Sequence, residues 1–269
     1  MTDESIIDKI ASGKVVELGH ELSPTIPVSP NHPGFKMALL RRHGDMVRDD
    51  GQSASNEMIL MGGHTGTHLD ALSHVSFQGK LYGGVDAYEA QIGTRFNKLG
   101  LETVEPIVTR GILLDVAGYK NVKTIDPPEA ITDKLLEEVA EAQSVSIKPG
   151  DAVLIRSGWS AYWNDSSKYI GNETGVPGPD ESAAKWLSKQ GIGFTGHDSM
   201  AYEYLAPGSG HALLPAHTHL LVDSGIHIIE NMDMDELASL GVYEFLFVCL
   251  PLKFVGGTGS PVRPIAIIA

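Results

Sequence analysis

The chain has 269 residues, 42% of them hydrophobic and 20% charged, with a formal net charge of −14 at pH 7. That composition is ordinary for a globular protein and excludes a disordered one. The acidic balance argues against nucleic acid or an acidic membrane surface as partner, since both call for clustered Lys and Arg.

The N-terminus "MTDESIIDKIASGKVVEL" carries acidic residues where a signal peptide would be positive, and it lacks an apolar core. No window holds eighteen uninterrupted apolar residues, so no transmembrane helix is expected and a cytoplasmic protein is the default. Residues 4–12 read as a short helix and "KVVELGHEL" as a strand. The proline-rich "SPTIPVSPNHPG" reads as a turn-rich loop or wrapping arm rather than a helix. The glycines of "GKLYGGVDAYEA" do not match a phosphate-binding loop.

"GILLDVAG" is a compact apolar strand bounded by glycines. "TDKLLEEVAEAQ" is the clearest helix, with Thr132 as N-cap and Leu135, Leu136 and Val139 forming an apolar stripe. "KPGDAVLIRSGW" follows as a turn and a strand, "GPDESAAKWLSKQG" as a second helix, and "IGFTGHDS" as a strand with a polar end. Later strands are expected in "IHIIE", "YEFLFVCLPLKF" and "RPIAIIA". The single cysteine, Cys249, has no intrachain disulfide partner and reads as a buried thiol in a reducing compartment. Strands alternating with helices, then a late run of strands, predict a mixed α/β fold. With no repeat and no linker, the whole of 1–269 is expected to be one domain, with an N-terminal arm over about 1–35.

Chemistry concentrates in "GGHTGTHLDALSH", residues 62–74. His64, His68, Asp70 and His74 all occupy even positions, so an extended chain projects them to one side. On a straight strand residues four apart are about 13 Å apart, too far to share an ion. The segment must therefore bend, and Gly62, Gly63 and Gly66 permit it. A second group lies downstream: His211, His217 and His219 in "GHALLPAHTHLL", with Asp198 and Glu230 nearby. Imidazoles and a carboxylate on a short segment, completed from a distant one, suit a catalytic Zn²⁺ or Mn²⁺. His20, His32 and His43 stand alone and read as surface or core residues.

"HTGTHLDALSH" resembles the HxGTHxDxPxH signature of the cyclase-like metal hydrolases, the group containing bacterial kynurenine formamidase and isatin hydrolase. "VVELGHELSPTIPVSP", "KPGDAVLIRSGW", "DSMAYEYLAP", "PAHTHLLVDSGIHIIENMDMDELA" and "GGTGSPVRPIAI" extend the resemblance over most of the chain. It implies a single mixed-sheet domain of the cyclase / kynurenine formamidase type, a swivelling β/β/α-like fold. It also implies one or two divalent ions, Mn²⁺ or Zn²⁺, and a homodimer or homotetramer.

Carried over by position, His64, His68 and Asp70 are implied metal ligands, and His74 the proton carrier. His217 and Glu230 fit a second metal site bridged by Asp70, with His219 competing for the place of His217. Leu72 departs from the family's proline but removes no ligand. The implied reaction is hydrolysis of a C–N bond in a small, cyclic amide by metal-activated water, with a linear N-formyl amide or a lactone next in rank. Trp159, Trp163 and His219 are candidate substrate-pocket side chains, although the two tryptophans also suit a core. Asp198 and Glu203 each could orient a histidine or cap a turn. Rival readings are a dehydrative cyclase, a binding protein without turnover, and a serine hydrolase. The last lacks a G-x-S-x-G elbow.

Overall fold

The run Ile112–Leu113–Leu114 shows no polar face because its strand is covered on both sides. The computed structural model describes residues 5–127 and 129–268. Leaving aside two-residue ribbons, the strands in chain order are β1 (Lys14–Glu17), β2 (Lys36–Arg41), β3 (Asn56–Leu60), β4 (His68–Asp70), β5 (Ile107–Asp115) and β6 (Ala152–Arg156). Then come β7 (Phe194–His197), β8 (His227–Glu230), β9 (Glu244–Cys249), β10 (Gly259–Pro261) and β11 (Ile265–Ile268). β2 and β3 form a hairpin of their own. The other nine make one sheet in the order β1-β11-β9-β5-β6-β7-β8-β4-β10. β5, β6, β7 and β8 run parallel at its centre, and the flanking strands pair antiparallel. This is the mixed α/β sheet the sequence leads one to expect.

Alternation divides each central strand between two cores. Ile112, Leu114, Val153 and Ile155 pack on one face against Leu136 and Val139 of α2 (Asp133–Ala142, after α1, Ile6–Ser12) and Ala184 and Leu187 of α3 (Glu181–Lys189). Leu113 and Leu154 point the other way, toward Val16, Phe247, Met232 and Leu237. Thr132 accepts from the Leu135 backbone N–H and starts α2 where its side chain predicts. Asp180 does the same for α3 through Ala183.

Several boundaries move. β5 begins four residues ahead of "GILLDVAG", and its end turns into a helical turn at Val116–Tyr119, capped by Asp115. β9 stops at Cys249, two residues before Pro251, which has no N–H to donate. The helix expected over 4–12 is Ile6–Ser12, and residue 4 lies outside the described residues. The N-terminal arm contributes β1, which pairs with β11 at the sheet edge. Among the described residues no helix is long and apolar enough to cross a membrane.

Candidate metal centre

His68 and Asp70, two apart on β4, share a face, and register adds a third side chain. Glu230 stands directly opposite His68 in the antiparallel pair β8–β4, so the two side chains emerge on the same face about 4.5–5.5 Å apart at Cβ. Glu230 is also the last residue of β8. Open α/β sheets place their sites at such carboxyl ends.

His64 and His74 arrive from turns on either side of β4. Gly66 takes φ +69°, where a β-carbon would be strained, and this reverses the chain between His64 and His68. Gly259, paired with Asp70 on β10, lies so close to His64 that any Cβ there would collide with the ring. Parity therefore operates only over β4 itself. The outer two histidines reach the cluster by turning, as the distance argument requires.

His217 comes from α4 (Pro215–His217), which continues into a wider helical segment, Thr218–Ser224. Glu203 fixes it. Its carboxylate accepts the backbone N–H groups of Ala216 and His217 at 3.1 and 2.9 Å, and His217 Nδ1–H at 2.6 Å.

The donor atoms converge in two overlapping groups, His64–Asp70–His74 and Asp70–His217–Glu230, each with its atoms within 4.8 Å of one another. Asp70 belongs to both. Its Oδ1 lies 2.7 Å from His64 Nδ1 and 3.5 Å from His68 Nε2. Glu230 places its two oxygens 3.3 Å from His68 Nε2 and 3.1 Å from His217 Nε2. His68 thus adjoins both groups. The His74 ring stacks on His64 at 3.9 Å.

Each of three imidazoles is held by its far nitrogen. His68 Nδ1–H donates to the Gly66 carbonyl at 2.8 Å, His217 Nδ1–H to Glu203, and His64 Nε2 meets Thr258 Oγ1 at 3.0 Å. The opposite nitrogen of each faces the carboxylates. Asp70 Oδ2 is buried with no hydrogen-bond partner, which an unaided protein interior penalises. Oriented imidazoles, carboxylates and an orphaned buried oxygen fit a divalent ion such as Zn²⁺ or Mn²⁺. There is no cysteine ligand.

Electrostatics follows from this crowding. Burial alone would depress His68 and His217, but Glu230 and Asp70 lift His68 to about 9, and Glu203 with Glu230 lifts His217 to about 10. Burial would raise Glu230, yet its bonds to those two histidines bring it down to about 2. Burial would likewise raise Asp70, and the imidazoles of His74, His64 and His68 hold it well below the usual carboxylate range. His74 goes the other way: burial lowers it to about 4 against the pull of Asp70. Its ring makes no side-chain hydrogen bond among the described residues.

Above the cluster lies a small cleft. Pro27 and Val28 from the proline loop and Met200 and Leu214 from the opposite side wall it, with His32 and His211 also in its lining.

Three expected pocket residues lie elsewhere. Trp159 is fully buried, its Nε1–H donating to the Tyr169 carbonyl at 2.9 Å within a separate apolar cluster. Trp163 packs with that cluster and stacks on His20 at 3.9 Å. His219, two residues past His217 and so roughly 200° around the helix, turns to Ser188 Oγ at 2.8 Å and the Asp223 carboxylate at 3.5 Å. It neither lines the cavity nor competes with His217.

Asp198 and Glu203 part company. Asp198 accepts from the backbone of Ser157, Gly158 and Trp159 and holds a turn, whereas Glu203 orients His217. Sequence reasoning missed His32 at the cavity and Asn231, which donates to the Gly66 carbonyl at 2.9 Å. Neither belongs to a local pattern that could have flagged it.

The fold and cluster together define an α/β protein with a candidate nitrogen-and-oxygen metal centre at the edge of its parallel strands. Residues 16–204 match the family described as "Putative cyclase", and the chain belongs to that family. It is 26% identical to isatin hydrolase of Roseibium aggregatum, over 97% of this chain and 94% of that one. With kynurenine formamidase of Geobacillus thermodenitrificans the identity is 28%, over 92% and 94%. A crystal structure described as a novel cyclase superposes with a TM-score of 0.86 at 28% identity, covering 99% of this chain and 93% of that one.

Proposed function

We propose that this protein is a metal-dependent hydrolase that opens the C–N bond of a small amide, a cyclic one first, with a linear N-formyl amide or a lactone behind. The observation that carries the proposal is the Asp70 carboxylate, shared by two converging donor groups beneath a cleft whose lining is largely polar. The relatives named isatin hydrolase and kynurenine formamidase support the reaction class. His64, His68 and Asp70 would hold one ion, His68 adjoining the His64–Asp70–His74 group, and Asp70, His217 and Glu230 would hold a second where two bind. When bound, such an ion lowers the pKa of a water toward about 7 and polarises the scissile carbonyl.

The protein's own part is orientation and proton transfer. Glu203, Gly66 and Thr258 fix the imidazoles. His74, neutral at pH 7 because burial holds it near 4, is able to accept a proton from water and return it to the amide nitrogen. That nitrogen leaves poorly until protonated. Pro27, Val28, Met200 and Leu214 are the apolar side chains of the lining that a planar ring would meet.

Elemental analysis of the purified protein, with a hydrolysis screen over isatin, N-formylkynurenine and simple lactones, tests this. Stoichiometric Mn or Zn and chelator-sensitive ring opening are the expected results. Full activity after exhaustive chelation would sink the proposal.

A further inference from the structure

Asn231 sits one residue past Glu230, where β8 ends, and no step of the hydrolysis uses it. Its backbone takes φ +55°, a left-handed conformation that strains most residues and that Asn, after glycine, tolerates best. The residue is buried, and each of its four polar groups is bonded.

The backbone N–H donates to the Ser199 carbonyl at 3.0 Å, and the backbone carbonyl accepts from Thr67 Oγ1. Thr67 lies between Gly66 and His68, so this bond ties the end of β8 to the turn that leads into β4. The side chain makes a second tie. Its Nδ2–H donates to the Gly66 carbonyl at 2.9 Å, and its Oδ1 accepts from the fully buried Tyr169 hydroxyl at 3.0 Å. A carbonyl only accepts, so the NH₂ group must face Gly66 and the amide oxygen must face the tyrosine.

Gly66 is where the two bonding paths meet. Its carbonyl also accepts His68 Nδ1–H at 2.8 Å, and the ring's other nitrogen then faces Glu230 and Asp70. One oxygen with two lone pairs serves both donors. Asn231 therefore holds in place the acceptor that aims His68. Glycine at 231 would relax the backbone but lose the amide. Aspartate would keep the shape but set a second acceptor against the Gly66 carbonyl.

We propose that Asn231 is a positioning residue of the metal centre. It clamps the turn before β4 so that His68 is aimed at the ion, and Tyr169 holds the clamp from the aromatic cluster behind. This rests on the cluster holding a divalent ion, so metal affinity of the wild type is the first arm of the test. Zn²⁺-loaded protein is titrated with a chromophoric chelator, and the visible absorption of the Co²⁺-loaded protein reports ligand geometry. Asn231→Gly and Asn231→Asp should each raise the Zn²⁺ dissociation constant about 10–100-fold and shift the Co²⁺ bands. Tyr169→Phe should raise it less. Asn231→Gly combined with Tyr169→Phe should bind no more weakly than Asn231→Gly alone, because the hydroxyl acts through the amide. A role confined to the turn would leave Asn231→Gly with wild-type affinity, since glycine adopts that backbone freely. That result, or unchanged Co²⁺ bands, overturns the proposal. If both Asn231 variants fail to fold, Tyr169→Phe decides, and unchanged affinity there overturns it. A wild type that binds neither ion overturns the metal-centre reading and this inference together, whereas tight wild-type binding with indifferent variants removes this inference alone.

Discussion

Two pairs of antiparallel strands lie within 200 residues of one another in this chain and have opposite fates. β4 and β8 bring His68, Asp70 and Glu230 together at nearly complete burial. β2 and β3, with equally regular pairing, leave their apolar side chains in solvent. What differs is the surroundings. β4 has a strand on each side and turns that fold His64 and His74 back over it, whereas the hairpin strands are exposed along their length and pair with no strand of the main sheet among the described residues. Burial turns three ordinary polar residues into a strongly interacting cluster. Its absence turns ordinary apolar residues into an unsatisfied surface.

That contrast predicts how sharply each region answers to substitution. Asp70→Asn strikes the shared carboxylate and should abolish stoichiometric metal, with activity down on the order of 10³-fold or more. Metal content retained at wild-type level would show that Asp70 is not the bridge. His74→Ala should lower kcat by about 10²–10⁴-fold while metal stays bound. Loss of metal with normal turnover on resupply would make His74 a ligand instead.

Glu203→Gln keeps the shape of the side chain but loses the carboxylate that orients His217, and should cost about 10–100-fold in metal affinity. Competition titration against a chromophoric chelator measures it. Metal affinity should also climb with pH. In the metal-free protein His68 and His217 are raised above the ordinary imidazole value, to about 9 and about 10, so both hold protons at neutral pH. An ion must displace those protons, so affinity falls as pH drops and rises toward pH 9, by up to about tenfold per unit for each proton released.

The smallest effect belongs to a residue first considered for the pocket. Trp159→Phe removes the Nε1–H bond to the Tyr169 carbonyl and should cost about 1–3 kcal/mol of stability without altering substrate KM. A large KM change on a well-folded variant would return Trp159 to the site.

Much was legible in the chain itself. Thr132 and the stripe Leu135, Leu136 and Val139 announce α2, because caps and helical spacing are local properties. The histidine motif marks where the donor atoms converge, because so many imidazoles within eleven residues have few other uses. Distant partners were not legible. Glu203 reaches His217 from fourteen residues away, and Asn231 reaches Gly66 across 165. Nor could spacing separate His217 from His219, since only the placement of the helix against Glu230 and α3 decides which ring turns inward.

The residues alone determined which side chains could share an ion and which segments would be helix or strand. Those outcomes depend on neighbours a few positions away. Three things were left to the folded chain: that Glu230 stands opposite His68, that Trp159 is a core side chain, and that the residues of the hairpin strands are exposed. Each is set by strand register and packing between segments far apart in sequence, where no local periodicity reaches.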